Sequence, residues 1–306
     1  MGGGSWDDDD YRESIRTRKI IGESGFTYDA AARTLSRSEQ KAHPLLDPRQ
    51  INRVRESRDS DEHPTSLAIA IIFDATGSMR KIPQVFQEQL GKLMDLLKKS
   101  GVKHPQIMVG AIGDYSCDAV PFQIGQFESD NRIDQQLRLF FLEGGGGGTL
   151  EESYGLAYYM AGWKTSLDCW EKRQKKGYLF TIGDENPYSS MSKEELSDVF
   201  GDKLKNEVTM QEAIQKASEK YEVFHIVASQ GSNGNNPSMI QNWKNLLGPR
   251  RVLILEKPSD ICELIVEVIA AREAENASAT APDKAESSKG TTADPDDKKK
   301  KKGRIF

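Results

Sequence analysis

The feature that most restricts the fold is the unbroken apolar run Ser66-Leu-Ala-Ile-Ala-Ile-Ile-Phe73. A strand with one wet face alternates apolar and polar residues, whereas a run without alternation marks a strand covered on both faces, as in parallel sheets. Directly after it, Ile82, Val85, Phe86, Leu90, Leu93, Met94 and Leu97 recur at threes and fours. That spacing predicts one helix, ended by Ser100-Gly101. Further strands are expected over 106–113, 120–127, 178–183, 223–228 and 251–255, and helices over 131–142, 150–163, 192–200, 210–221, 237–247 and 259–272. Such alternation predicts an α/β fold, a Rossmann-like, doubly wound and mostly parallel sheet with helices on both faces.

The chain has 306 residues, 37% of them hydrophobic, enough for one good core and too few for two complete ones. Three segments are expected. Residues 1–65 carry scattered apolar residues without a sustained period and read as an extended arm. Residues 66–272 form the domain. Residues 273–306, rich in Ala, Ser, Thr, Asp, Glu, Lys and Pro, read as a disordered tail, because they cannot bury enough apolar surface to offset ordering entropy. The tail's lysine run, Lys298 to Lys302, precedes Gly303-Arg304-Ile305-Phe306, which could present a docking peptide to a partner.

Several classes are excluded by composition. With 42 Lys and Arg against 47 Asp and Glu the net charge is −5, without the positive excess that phosphate-backbone binding exploits, so no nucleic-acid partner is expected. No window reaches the length of uncharged apolar chain needed to span a bilayer, and the opening residues resemble neither a signal peptide nor a myristoylation signal. Cys117, Cys169 and Cys262 are odd in number and widely spaced, and fit neither a disulfide framework nor a zinc site. The expected setting is cytoplasmic, with no membrane contact. His43, His63, His104 and His225 suggest no nucleophilic triad, and Tyr158, Tyr159, Trp163 and Trp170 read as core.

Ligands of doubly wound sheets bind beyond the carboxyl ends of the strands, so the loops that follow strands hold the informative residues. The first is Asp74-Ala75-Thr76-Gly77-Ser78, with a carboxylate and two hydroxyls at alternate positions. The second is Glu143 to Thr149, where five glycines permit close approach of backbone and Thr149 adds a third hydroxyl. The third contains Asp184, after the run that ends Thr181-Ile182-Gly183. Two carboxylates and three hydroxyls make an all-oxygen donor set, which suits Mg²⁺ or Mn²⁺ and not zinc. Asp114, also just after an expected strand, could hydrogen-bond metal-bound water or serve only as a turn residue. Glu151 and Glu152 receive no role beyond favouring a helix start.

At these residues the sequence resembles the von Willebrand factor type A family, whose metal-ion-dependent adhesion site reads Asp-x-Ser/Thr-x-Ser, then a distant Thr, then a distant Asp. Asp74, Thr76, Ser78, Thr149 and Asp184 stand in that order, and the resemblance covers roughly residues 66 to 272. Thr76 stands where Ser is more frequent, and Glu185 follows Asp184 where Gly is common. The resemblance implies a non-enzymatic, Mg²⁺-dependent protein-interaction module in which an Asp or Glu of a partner completes the metal coordination, with movement of a helix on binding in members that switch. It also implies, by analogy with family members that act in assembly, a AAA+-type ATPase among the partners. Two other readings stay open. One is a structural or scaffold subunit with a stabilising metal. The other is an Mg²⁺-dependent phosphohydrolase, although Thr76 stands where that chemistry wants a second Asp, and no Lys follows the glycine run.

Overall fold

A computed structural model describes residues 4–50, 54–144 and 151–280. Its centre is a six-stranded sheet of β1 (Leu67–Asp74), β2 (Pro105–Ile112), β3 (Phe122–Ile124), β4 (Gly177–Gly183), β5 (Tyr221–Ala228) and β6 (Val252–Leu255), in the order β6-β5-β4-β1-β2-β3. All neighbours run parallel except β2 and β3. Every residue of β1, β2 and β4 is buried, as the unalternating apolar runs require. The α/β, doubly wound class expected from the sequence is the one observed.

The two faces of β1 carry different side chains. Leu67, Ile69, Ile71 and Phe73 point into one layer with α3 (Lys81–Glu88), α4 (Leu90–Lys99) and α11 (Ile261–Thr280). Ala68, Ala70 and Ile72 point into the other, with α6 (Gly155–Trp163), Cys169 of the short α7 (Asp168–Glu171), α8 (Lys193–Phe200), α9 (Met210–Lys220) and α10 (Pro237–Leu247). Gly155 through Gly162 are buried, so α6 is a central helix with apolar residues all round.

Chain direction across the sheet reverses at β1. Strands β2 and β3 are laid to one side, and β4, β5 and β6 to the other. The crevice at the carboxyl ends of β1 and β4 is therefore the topological switch point, where ligands of such sheets bind. Asp74 ends β1 and Asp184 immediately follows β4.

Several boundaries differ from the sequence expectations. The single helix expected from Ile82 to Leu97 is broken at Gln89. Tyr11 of the arm inserts there: its hydroxyl donates to the Gln87 carbonyl and accepts the Leu90 N–H at 3.2 Å, supplying partners for backbone groups freed by the break. The helix expected over 131–142 is confined to α5 (Arg132–Leu137). The one expected from Leu150 begins only at Gly155, because Glu151–Glu152 instead pairs as a short parallel strand with Asn186–Pro187.

The arm is not extended. It contains α1 (Asp8–Ile21) and α2 (Thr27–Ala32). Asp7 caps α1 by accepting the Asp10 N–H, its first turn is acidic and its last basic, all favourable to the helix dipole. Only a narrow stripe of α1, with Tyr11 and Arg18, is buried, which is why no apolar period announced it. Arg18 forms a buried ion pair with Asp134 at 2.7 Å. Further along, the Leu46 carbonyl accepts the Ile124 N–H at 2.9 Å, and the buried Arg55 guanidinium donates to the carbonyls of Gly125 and Ile124 at 3.0 and 3.2 Å. The arm thus covers the β3 edge, which would otherwise offer unpaired backbone.

At the other end the expected tail boundary is too early. α11 continues to Thr280. Glu273 pairs with Lys175 and accepts the Tyr178 hydroxyl at 2.8 Å, which anchors the helix past Arg272. The remaining tail, residues 281–306 with the lysine run and terminal Ile-Phe, lies outside the described residues.

Candidate functional site

Asp74 and Asp184 are fully buried side by side at the switch point. One Asp74 oxygen accepts the Thr76 N–H at 2.7 Å, folding the loop back over its own carboxylate. The other accepts the Tyr154 hydroxyl at 2.9 Å. The Ser78 hydroxyl, on the turn before α3, donates to both oxygens of Asp184 at 3.2 and 3.3 Å. Asp184 also accepts the Asn233 N–H at 3.1 Å. Four of the five residues singled out as ligands, Asp74, Thr76, Ser78 and Asp184, thus belong to two neighbouring loops, and the Ser78–Asp184 bond joins those loops directly. Thr149 lies outside the described residues.

The donor chemistry fits a hard cation. Among the described residues the buried Thr76 hydroxyl makes no hydrogen bond of normal geometry, although it lies near enough to Asp74 to favour that carboxylate's charged form, and it adds an oxygen to a site built of oxygens. Among the described residues neither Asp74 nor Asp184 forms an ion pair. Burial pushes Asp74 well above the ordinary carboxylate range, and the Asp184 charge adds to the effect. Among the described residues no group of three or more His, Cys, Asp or Glu side chains is placed to hold a metal.

A wider acidic wall surrounds the pair. Glu152 is buried, with one carboxylate oxygen that has no hydrogen-bond partner among the described residues, and its pKa is raised strongly by burial and then by the Asp74 charge. Glu185 is pushed up to about 7 by partial burial, then by Asp74 and Asp184. Asp114 is buried at the end of β2 and accepts the Ser116 N–H at 2.8 Å and the Tyr188 hydroxyl at 3.2 and 3.1 Å. Its carboxylate stabilises the turn that follows β2, while its charge contributes to the raised values of Glu152 and Glu185.

The sequence assigns Glu152 only to a helix start and gives no sign of Tyr154. Glu152 is drawn to the site by the Glu151–Glu152 pairing with Asn186–Pro187, a contact between loops with no local signature. Tyr154 reaches Asp74 across the end of β4, and Gly183 makes room for it: a β-carbon at 183 would lie 1.6 Å from the Tyr154 hydroxyl oxygen. Only the neighbouring glycine hints at this approach. Beneath the site, Trp243 of α10 donates its indole N–H to the Glu185 carbonyl at 2.9 Å and stacks on His225 with ring centroids 3.6 Å apart.

The fold and the site define a doubly wound α/β domain with an oxygen-donor crevice at its switch point. No known protein-family model matches the chain, and no curated protein matches it. Solved structures similar in fold include the pilus adhesin SpaC from Lactobacillus rhamnosus GG in its open conformation, at 10% identity and a TM-score of 0.47, over 72% of this chain and 31% of that one. They also include a von Willebrand factor type A structure from Catenulispora acidiphila, at 15% identity and a TM-score of 0.38, over 67% and 42% of the two chains. A third is the vWF domain of the type V pili tip protein Mfa5 from Porphyromonas gingivalis, at 8% identity and a TM-score of 0.41, over 69% and 96%. The chain therefore spans about a third of the adhesin's length. Among the described residues no helix is long and apolar enough to cross a membrane.

Proposed function

We propose that this chain is a von Willebrand factor type A-like domain that binds a partner protein through a divalent cation, Mg²⁺ or Mn²⁺, and is not an enzyme. Asp74, Thr76, Ser78, Thr149 and Asp184 would hold the ion, with Asp114 acting only through its charge and through ordered water. The cation supplies an electron-poor centre able to accept a carboxylate oxygen, and two acidic ligands leave it short of negative charge. The partner would offer an Asp or Glu; a AAA+-type ATPase, with the chain as adaptor or assembly factor in the cytoplasm, is the partner class carried by family analogy.

The observation that carries this reading is the buried Thr76 hydroxyl, which makes no hydrogen bond of normal geometry among the described residues, beside two buried carboxylates that form no ion pair with them. Asp74 and Tyr154 hold each other in place, and Asn233 fixes Asp184, so the oxygens are positioned before any ion arrives. A thermal melt in EDTA and across Mg²⁺ and Mn²⁺ titrations tests it. The wild type should rise by mass-action linkage, about 2.7 kcal/mol at a hundredfold excess over Kd. Asp74→Ala should show no rise. Equal curves for both proteins would refute the metal reading, and capture of a partner regardless of EDTA would refute the carboxylate bridge.

A further inference from the structure

We propose that the N-terminal arm sets the cation affinity of this site, with Asp29, Arg33 and Arg80 as positioning residues. The proposal rests on the metal reading above and adds a control on it from a segment outside the sheet.

Asp29 of α2 is 4% exposed and gathers three elements on one carboxylate. It accepts from Nε of Arg33 at 3.1 and 3.0 Å and from the Leu142 N–H at 3.1 Å, and it pairs with the Arg80 guanidinium. Arg80 lies two residues after Ser78. Arg33 in turn donates to the Leu142 carbonyl and, at 3.0 Å, to the Glu143 carbonyl. The arm therefore grips the chain just after the Asp74–Ser78 loop and the chain just before the glycine run.

These two grips meet at the metal loop. The Gly144 N–H donates to the Ala75 carbonyl at 3.2 Å. Gly77 packs against the same residue, since a β-carbon there would lie 3.0 Å from the Gly144 carbonyl oxygen. Contact is continuous from α2 through Leu142–Gly144 to the backbone between Asp74 and Ser78. Groups hydrogen-bonded directly to metal ligands are typically worth about 10–100-fold in metal affinity, and Leu142–Gly144 hold the backbone that carries those ligands one step further out, which places their effect at the lower end of that range.

The charges make the proposal separable from simple electrostatics. Arg33 and Arg80 share the Asp29 carboxylate, and through space each repels a nearby cation. Removing Arg33 should therefore tighten cation binding if charge alone matters, and weaken it if the grip matters.

The test uses the full chain, its Arg33→Gln and Asp29→Asn variants, and Mn²⁺ alone as probe. Free Mn²⁺ is read by electron paramagnetic resonance, and hydrogen exchange of peptides covering 75–80 and 140–144 is followed in EDTA. Arg33→Gln should weaken Mn²⁺ on the order of tenfold and speed exchange in both peptides, with exchange in β1 and β4 unchanged. Its side chain is 37% exposed, so this variant keeps the test available if Asp29→Asn does not fold. Wild-type affinity, or tighter binding, in Arg33→Gln overturns the grip while leaving the metal reading standing. Absence of Mn²⁺ binding by the wild type overturns both.

Discussion

At the scale of single residues, burial decides what each polar group can do. His225 is fully buried, 2.9 Å from the Thr181 hydroxyl through Nδ1, and its Nε2 has no hydrogen-bond partner among the described residues. Desolvation holds its pKa well below the usual value near 6.5. The folded protein keeps the ring neutral while the unfolded chain takes up a proton below that value, so stability is lost as pH falls from about 6.5, by at most about 1.4 kcal/mol per pH unit. Urea melts at several pH values should show His225→Gln with a shallower decline than the wild type between pH 6.5 and 5. An identical decline would mean that other groups account for it. Tyr154 is the second case. Tyr154→Phe removes the donor to a buried Asp74 oxygen. It should lower Mn²⁺ affinity about tenfold, measured by calorimetric titration, as loss of an outer hydrogen bond to a ligand typically does. Unchanged affinity would show that Thr76 and the fold orient Asp74 without it.

Elements show where local pattern ends and long-range contact begins. The apolar period from Ile82 to Leu97 is real, yet Tyr11, some 80 positions from Leu90 in sequence, splits it into α3 and α4. Tyr11→Phe leaves the Gln87 carbonyl and the Leu90 N–H without that hydroxyl. The loss should cost about 1–3 kcal/mol in a denaturant melt, and no cost would mean that water replaces the hydroxyl. α1 was missed because its buried side is a stripe containing an arginine, although its acidic start, basic end and following Gly22 are readable helix signals. That arginine gives a further test. Breaking the buried Arg18–Asp134 pair with Arg18→Ala should destabilise by about 3–5 kcal/mol, whereas the double replacement Arg18→Met with Asp134→Leu should recover most of that loss. A double variant as unstable as the single one would show that the Gln87 donor to Asp134, at 3.1 Å, dominates instead.

Across the whole molecule, the arm and the sheet form one structure, since Tyr11, Phe26 and Leu46 are buried in the same core as β1. A chain shortened to begin at residue 51 would uncover that core and the β3 edge. It should unfold at lower denaturant and self-associate in sedimentation measurements, where a monomer of undiminished stability would show the arm to be dispensable. The sequence by itself determined the doubly wound class and the placing of Asp74 and Asp184 at the carboxyl ends of their strands. Strands covered on both faces must be apolar throughout, and residues at a strand's carboxyl end are placed by that strand, so both are written locally. Only the tertiary structure decided that Glu152 joins the acidic wall, that Tyr154 orients Asp74, and that Asp29 reaches Leu142 across 113 positions. Those contacts join segments whose own composition is compatible with many partners. Which partner each one meets is settled by the packing of layers around the sheet.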